Sequence, residues 1–187
     1  MSTKFMGIIP PLITCFNEKG EFNEKAQREV IRFLLPNVNG FYPIGTYGSG
    51  PLLDINERKT AAEVIVDEVN GKVPVIIHIG AVNTKQAVEL AKHAESIGAD
   101  AIGAIPPYYY SYTEYDLLEY YRAILAATNL PFFAYNNPGL SNNPLSPRLI
   151  NILAHEGLYG IKDSSFDLVT FCNFVNNVEK EDFHFII

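Results

Sequence analysis

The chain of 187 residues is 48% hydrophobic and 19% charged, the balance of a soluble globular protein long enough to bury one sizeable core. Its formal net charge of −7 repels nucleic acid and anionic membranes, so neither is an expected partner. Met1 to Gly7 lacks the apolar stretch of a secretory signal, no window approaches the roughly 20 apolar residues of a membrane span, and Cys15 and Cys172 stand too far apart for a disulfide framework or a metal site, so a reducing cytoplasm is the expected compartment.

Seven short apolar runs follow one another along the chain: 7–14, 40–44, 73–79, 101–105, 130–135, 158–162 and 183–187. Each is apolar nearly throughout, as strands buried on both faces of a parallel sheet must be. Helical stretches with recognisable ends lie between them. Asp54 precedes Glu57 by three residues, a capping-box spacing, and Gly71 closes that helix. Asn83 caps the next, which Gly98 ends. Thr113 caps the helix after "PPYYYSY", and Ser146-Pro147 reads as N-cap and first helical position. The repeat of strand, loop, helix and loop predicts parallel strands joined by helical crossovers. No linker or charge run divides residues 1–187, so the reading is a single domain. The seventh run reaches Ile187, and an eight-fold barrel takes about 250 residues. The expectation is therefore a (β/α) barrel truncated within its seventh strand, with two strand edges open.

Several residues at strand ends could carry chemistry. Lys162 closes the run "LYGIK". If it faces inward, desolvation lowers its pKa, and a neutral amine can attack a carbonyl to form an imine. Taken alone, it more often fits a lysine that snorkels to the rim or pairs with Asp163. Tyr135 closes "LPFFAY" and could relay protons, or simply pack its ring. In "PIGTYGSG", Gly45, Gly48 and Gly50 permit close backbone approach and Thr46 adds a hydroxyl, so the loop could hold a carboxylate or be a plain connection. Pro51 stands where a phosphate loop needs lysine. Tyr108, Tyr109 and Tyr110 offer rings for packing, for a site or for a subunit contact. His78, His93, His155 and His184 have no partner at metal-ligand spacing and read as structural. All the stronger candidates fall at the C-terminal ends of predicted parallel strands, the face that carries the active site in a barrel.

Taken together, "GTYGSG", "PPYYY", "YNNPG" and "GIKDSS", in that order, resemble motifs of the N-acetylneuraminate lyase and dihydrodipicolinate synthase family of pyruvate-dependent aldolases. The resemblance runs from "GIIPPLITCF" to the last residue and implies a (β/α)8 TIM barrel assembled into homotetramers. It implies that Lys162 forms a Schiff base with pyruvate and that Tyr135 relays protons. Thr46, with backbone amides around Tyr47 and Gly48, would bind the pyruvate carboxylate, and Tyr109 would reach a neighbouring subunit's site. No metal or organic cofactor is implied. Gly139-Leu140-Ser141, where the synthases carry Ser-Arg, resembles the lyases, as do "PPYYY" and "YRAIL". The expected reaction is thus lyase-like cleavage of a sugar acid to pyruvate and an aldehyde, with a synthase-like condensation as the alternative. Tyr47 and Ser49 depart from the family's loop, which usually has threonine and glutamate there. Residues that recognise the sugar chain lie, by the same resemblance, beyond the seventh strand, which leaves open a non-catalytic barrel fragment. A phosphate-binding barrel is the third reading.

Overall fold

The computed structural model of the protein describes residues 4–187, so Met1 to Thr3 of the N-terminal stretch lie outside the described residues. A strand forms at each apolar run, β5 and β6 reaching one residue past it: β1 (Pro11–Leu12), β2 (Tyr42–Pro43), β3 (Ile76–His78), β4 (Ala101–Ala104), β5 (Phe132–Asn136), β6 (Gly160–Asp163) and β7 (His184–Ile186). All pair in parallel with their sequence neighbours. β1 and β2 form one pair and β3 to β7 a five-stranded sheet. A bridge between Phe41 and Val75 joins the two, with the Ile76 N–H donating to the Phe41 carbonyl at 2.9 Å. Among the described residues no strand pairing links β7 back to β1. The parallel α/β architecture is thus present as a curved row of seven strands rather than a closed ring.

The crossovers are α1 (Glu24–Leu34), α2 (Ile55–Val69), α3 (Thr84–Ser96), α4 (Glu114–Leu125), α6 (Pro147–His155) and α7 (Leu168–Asn177). A one-turn helix, α5 (Pro138–Ser141), precedes α6 and was not expected from the sequence. The capping signals act as the sequence suggests. The Asp54 carboxylate accepts from the N–H groups of Asn56 (2.7 Å) and Glu57 (2.9 Å), and Glu57 accepts in return from the Asp54 N–H at 2.8 Å. Asn83, Thr113 and Ser146 each accept from the backbone N–H three residues on. At the far end of α2 both Asn70, at φ 46°, and the expected Gly71, at φ 70°, turn left-handed. No helix of the described residues is long and apolar enough to cross a membrane.

Alternation along the strands separates two faces. Ile77, Ile102, Phe132, Ala134 and Ile161 face outward and form one core with the helices. The other face carries Ile76, Ala101 and Phe133, closed at the bottom by Phe5, whose ring meets that of Phe133 edge-on at 5.4 Å. The concave side has room for large side chains only because small ones sit opposite. A Cβ on Gly160 would lie 2.6 Å from the Phe133 ring, and one on Gly103 would overlap the Tyr42 hydroxyl. Further up the same face, in step with the period of two, stand His78, Tyr135 and Lys162.

The α2 cap offers a simple check of the local argument. Asp54→Ala removes two acceptor contacts and half of the capping box, so it should lower the unfolding free energy by about 0.5–2 kcal/mol in urea titrations without changing the m-value.

Candidate active site

Lys162 and Tyr135 are directly paired in the register of β5 and β6, so their side chains emerge side by side on the concave face. The Lys162 Nζ lies 3.9 Å from the centroid of the Tyr135 ring and 5.7 Å from that of Tyr42, and it donates to Ser164 Oγ at 2.6 Å. Burial among these rings removes water from the ammonium and lowers the lysine pKa, while Tyr135 and the nearby Asp163 carboxylate act in the opposite sense. For the Tyr135 phenol, burial acts upward, but the Lys162 cation and hydrogen bonds with Thr46, Ser164 and Asn137 bring it below the ordinary tyrosine value. An amine with a depressed pKa and a phenol with a depressed pKa thus share one wall of the cleft. That combination can supply a nucleophilic nitrogen and a proton carrier within reach of one bound molecule.

Thr46 reaches Tyr135 from the loop after β2, and this loop is tightly wound. Ile44 and Ser49 both sit at positive φ, 60° and 54°. For a β-branched residue such as Ile44 this conformation costs roughly 1–3 kcal/mol. The loop closes because Gly48 and Gly50 bring backbone against backbone: a Cβ on Gly50 would lie 1.9 Å from the Ile44 carbonyl oxygen, and one on Gly48 would lie 2.7 Å from the Ile44 nitrogen. The buried Thr14 hydroxyl holds the turn from below by donating to the Gly48 carbonyl at 2.5 Å.

Of the residues singled out in the sequence, Lys162, Tyr135 and Thr46 converge, and Gly48 lies buried beneath them. The Tyr47 side chain does not join them; it is 67% exposed. Tyr109 is also outside the cleft, 81% exposed, with its ring edge-on to Tyr110 and its backbone at φ 88°.

Several neighbours went unnoticed in the sequence or, like His78, read there as structural. Tyr42 and His78 fill the floor of the cleft, their rings each 6.0 Å from that of Tyr135. Burial, with Tyr135 reinforcing it, pushes the Tyr42 phenol far above its usual value, and its hydroxyl has no hydrogen-bond partner among the described residues. Burial, and after it the Arg58 cation, brings His78 down to about 3, so it is neutral; its Nε2 accepts from the Ile105 N–H at 3.3 Å. Asn137 donates to the Tyr135 hydroxyl at 2.9 Å. On the outer side, the buried Asn136 amide donates to Asp163 at 2.7 Å and ties the ends of β5 and β6 together. The signal for His78 and Tyr42 was the one that revealed Lys162, a polar group inside an apolar strand run. Asn137 carried no such signal. Among the described residues, no group of three or more His, Cys, Asp or Glu is placed to hold a metal ion.

The fold is a parallel α/β sheet joined by crossover helices, and a desolvated amine stands at its strand ends. The comparison with known proteins then gives the family. Residues 4–185 match the dihydrodipicolinate synthetase family, and the chain belongs to it. A probable 2-dehydro-3-deoxy-D-pentonate aldolase of Escherichia coli K12 is 41% identical over 164 residues, which are 86% of this chain and 54% of that protein. The crystal structure of YagE, a prophage protein of the family from E. coli K12 in complex with pyruvate, is similar with a TM-score of 0.91 at 33% identity, covering 94% of this chain and 60% of that one. The sialic acid aldolase of Ruminococcus gnavus gives a TM-score of 0.91 at 31% identity, covering 97% of this chain and 61% of that one. The chain therefore spans little more than half the length of these relatives.

The paired pKa shifts have a consequence for stability. With both groups lowered, the folded chain binds fewer protons than the unfolded chain between the folded values and about pH 10. Stability contributed by the pair therefore rises with pH across that window. Relative to a Lys162→Met/Tyr135→Phe double variant, the wild-type unfolding free energy should increase as pH is raised from neutral towards 10. Urea titrations at a series of pH values measure this, and a flat difference would mean that the two groups titrate at ordinary values.

Proposed function

We propose that the chain is the pyruvate-handling portion of a class I aldolase that cleaves a 4-hydroxy-2-oxo acid into pyruvate and an aldehyde through an imine on Lys162. The observation that carries this reading is the desolvated Lys162 amine beside the Tyr135 phenol at adjacent strand ends. The neutral amine adds to the C2 carbonyl of the substrate, and the resulting carbinolamine loses water to give a protonated imine. Tyr135 carries protons in that dehydration. It then accepts the proton of the C4 hydroxyl as the C3–C4 bond breaks, the bond's electrons flowing into the imine to leave an enamine and an aldehyde. Protonation of the enamine at C3 and hydrolysis of the imine release pyruvate and free Lys162. The Thr46 loop takes the substrate carboxylate with its hydroxyl and with the amides around Tyr47 and Gly48. The bound acid supplies its own electron sink, so the reading calls for no metal or organic cofactor.

The substrate class follows from what the relatives share. A 2-dehydro-3-deoxy-pentonate and a sialic acid both present a 2-oxo group and a C4 hydroxyl, so one imine mechanism serves both. The named pentonate aldolase favours a short sugar acid, and the sialic acid aldolase supports the longer one suggested by Gly139-Leu140-Ser141. The turn at 138–141 offers no cation to an acidic acceptor, which weighs against the synthase-like condensation. In the same reading the seven strands belong to an eight-fold barrel forming one domain. The exposed Tyr109 meets the site of a neighbouring subunit in a homo-oligomer.

Incubation with pyruvate followed by borohydride should leave a reduced adduct on Lys162, located by peptide mass spectrometry and absent in Lys162→Met. A folded chain without adduct would overturn the proposal. Tyr135→Phe should slow adduct formation about 10²–10⁴-fold, because the proton carrier is lost while the amine remains.

A further inference from the structure

Asn143 is an uncharged residue of the loop between α5 and α6, only 2% exposed, and the reaction as written does not use it. Its side chain nonetheless makes four contacts across the top of the strands. The two hydrogens of the amide nitrogen are shared among the carbonyls of Pro107 (2.8 Å), Tyr110 (2.8 Å) and Ser141 (2.9 Å), and the amide oxygen accepts from the Tyr112 N–H at 2.8 Å. Pro107, Tyr110 and Tyr112 bracket Tyr109, the residue held at φ 88°. A bulky residue keeps such a conformation only when its surroundings impose it, and Asn143 grips the backbone on both sides of it. On its other side Asn143 leads to the reactive pair. The Ser141 hydroxyl accepts from the Asn143 N–H at 3.2 Å and donates to the Asn137 carbonyl at 3.0 Å. Asn137 in turn donates to the Tyr135 hydroxyl at 2.9 Å.

We infer that Asn143 is a positioning residue: it fixes the strained Tyr109 turn and, through Ser141 and Asn137, the orientation of the Tyr135 hydroxyl. Its amide does both because it is a donor and an acceptor on one small planar group, and no residue of the same size without both functions satisfies four backbone partners there. The link to Tyr135 rests on the proposed imine chemistry, whereas the grip on the Tyr109 turn does not.

The test uses the full chain and two readouts. The first is hydrogen exchange at the Tyr112 amide, followed beside the β4 and β5 amides as a control for folding. The second is the rate of borohydride-trapped imine formation against pyruvate concentration. Asn143→Asp keeps the shape and the acceptor but faces three carbonyls without a donor; Asn143→Ala loses all four contacts. Asn143→Ala should lose at least tenfold protection at Tyr112, and Asn143→Asp, which keeps the oxygen that accepts from that amide, should lose less. Both should slow imine formation at saturating pyruvate by about tenfold or more, with the half-saturating concentration moving less than threefold, because the carboxylate loop is untouched. Should both variants lose the β4 and β5 protection, Ser141→Ala, which cuts only the hydroxyl link, must still slow saturated imine formation several-fold. Unchanged Tyr112 protection in Asn143→Ala would overturn the grip on the turn. Imine formation within twofold of wild type, or a change confined to half-saturation, would overturn the role toward Tyr135. A wild type that protects Tyr112 but forms no imine overturns the lysine chemistry and that role with it, and leaves the grip on the turn supported.

Discussion

The removal of water from the Lys162 ammonium is the constraint on which the rest of the site depends. A surface lysine is protonated at neutral pH and inert toward carbonyls. Here β6 carries the residue onto the concave face, and the rings of Tyr42 and Tyr135 surround it. That environment disfavours the cation; the Tyr135 phenol and, after it, the Asp163 carboxylate act against the shift, and Ser164 accepts one hydrogen bond from the amine. Asp163, one residue on, is turned to the opposite side and occupied by Asn136 and Ser165. Strand alternation thus keeps a carboxylate adjacent in sequence from forming a tight ion pair with the amine.

Holding such a pair in place has a cost that appears in the backbone. Ile44, Ser49, Tyr109, Asn142 and Phe166 are all at positive φ, and all lie in loops that leave the C-terminal ends of strands. Each such residue costs roughly 1–3 kcal/mol, somewhat less for Asn142, whose type tolerates the conformation. The helical layer and the outer face of the strands, with their regular caps and apolar contacts, offset that strain. Stability is therefore concentrated in the helices and in the outer core, and strain in the loops that surround the cleft.

The sequence made the parallel strands legible because each apolar run is interrupted by glycine or by a polar cap at its end. It also marked Lys162 and Tyr135, since both close such runs. Periodicity by itself gave only which residues alternate, not which of the two sets faces inward. That ambiguity hid Tyr42 and His78, whose position follows from small residues such as Gly103 lying across from them. Asn137 and Asn143 were invisible for a different reason. Asn143 matters through hydrogen bonds to residues up to 36 positions away and Asn137 through one to Tyr135, two residues back, and an asparagine in a loop gives no local hint of either partner. The short helix α5 spans a single turn that opens on Pro138-Gly139, too short for an apolar period to mark it.

The join between β2 and β3 sets how the cleft is held together. Lys162 and Tyr135 stand on the five-stranded sheet, knit by continuous ladders. Thr46 follows β2, and that strand is fastened to the sheet at the Phe41–Val75 bridge, where the Phe41 N–H donates to the Pro74 carbonyl and the Phe41 carbonyl accepts from the Ile76 N–H, both at 2.9 Å. Arg58 of α2 adds a second tie, its guanidinium donating to the carbonyls of His78 (2.8 Å) and Gly80 (2.9 Å). The threonine loop and the lysine–tyrosine pair are thus clamped to one frame from the strand side and from the helix side.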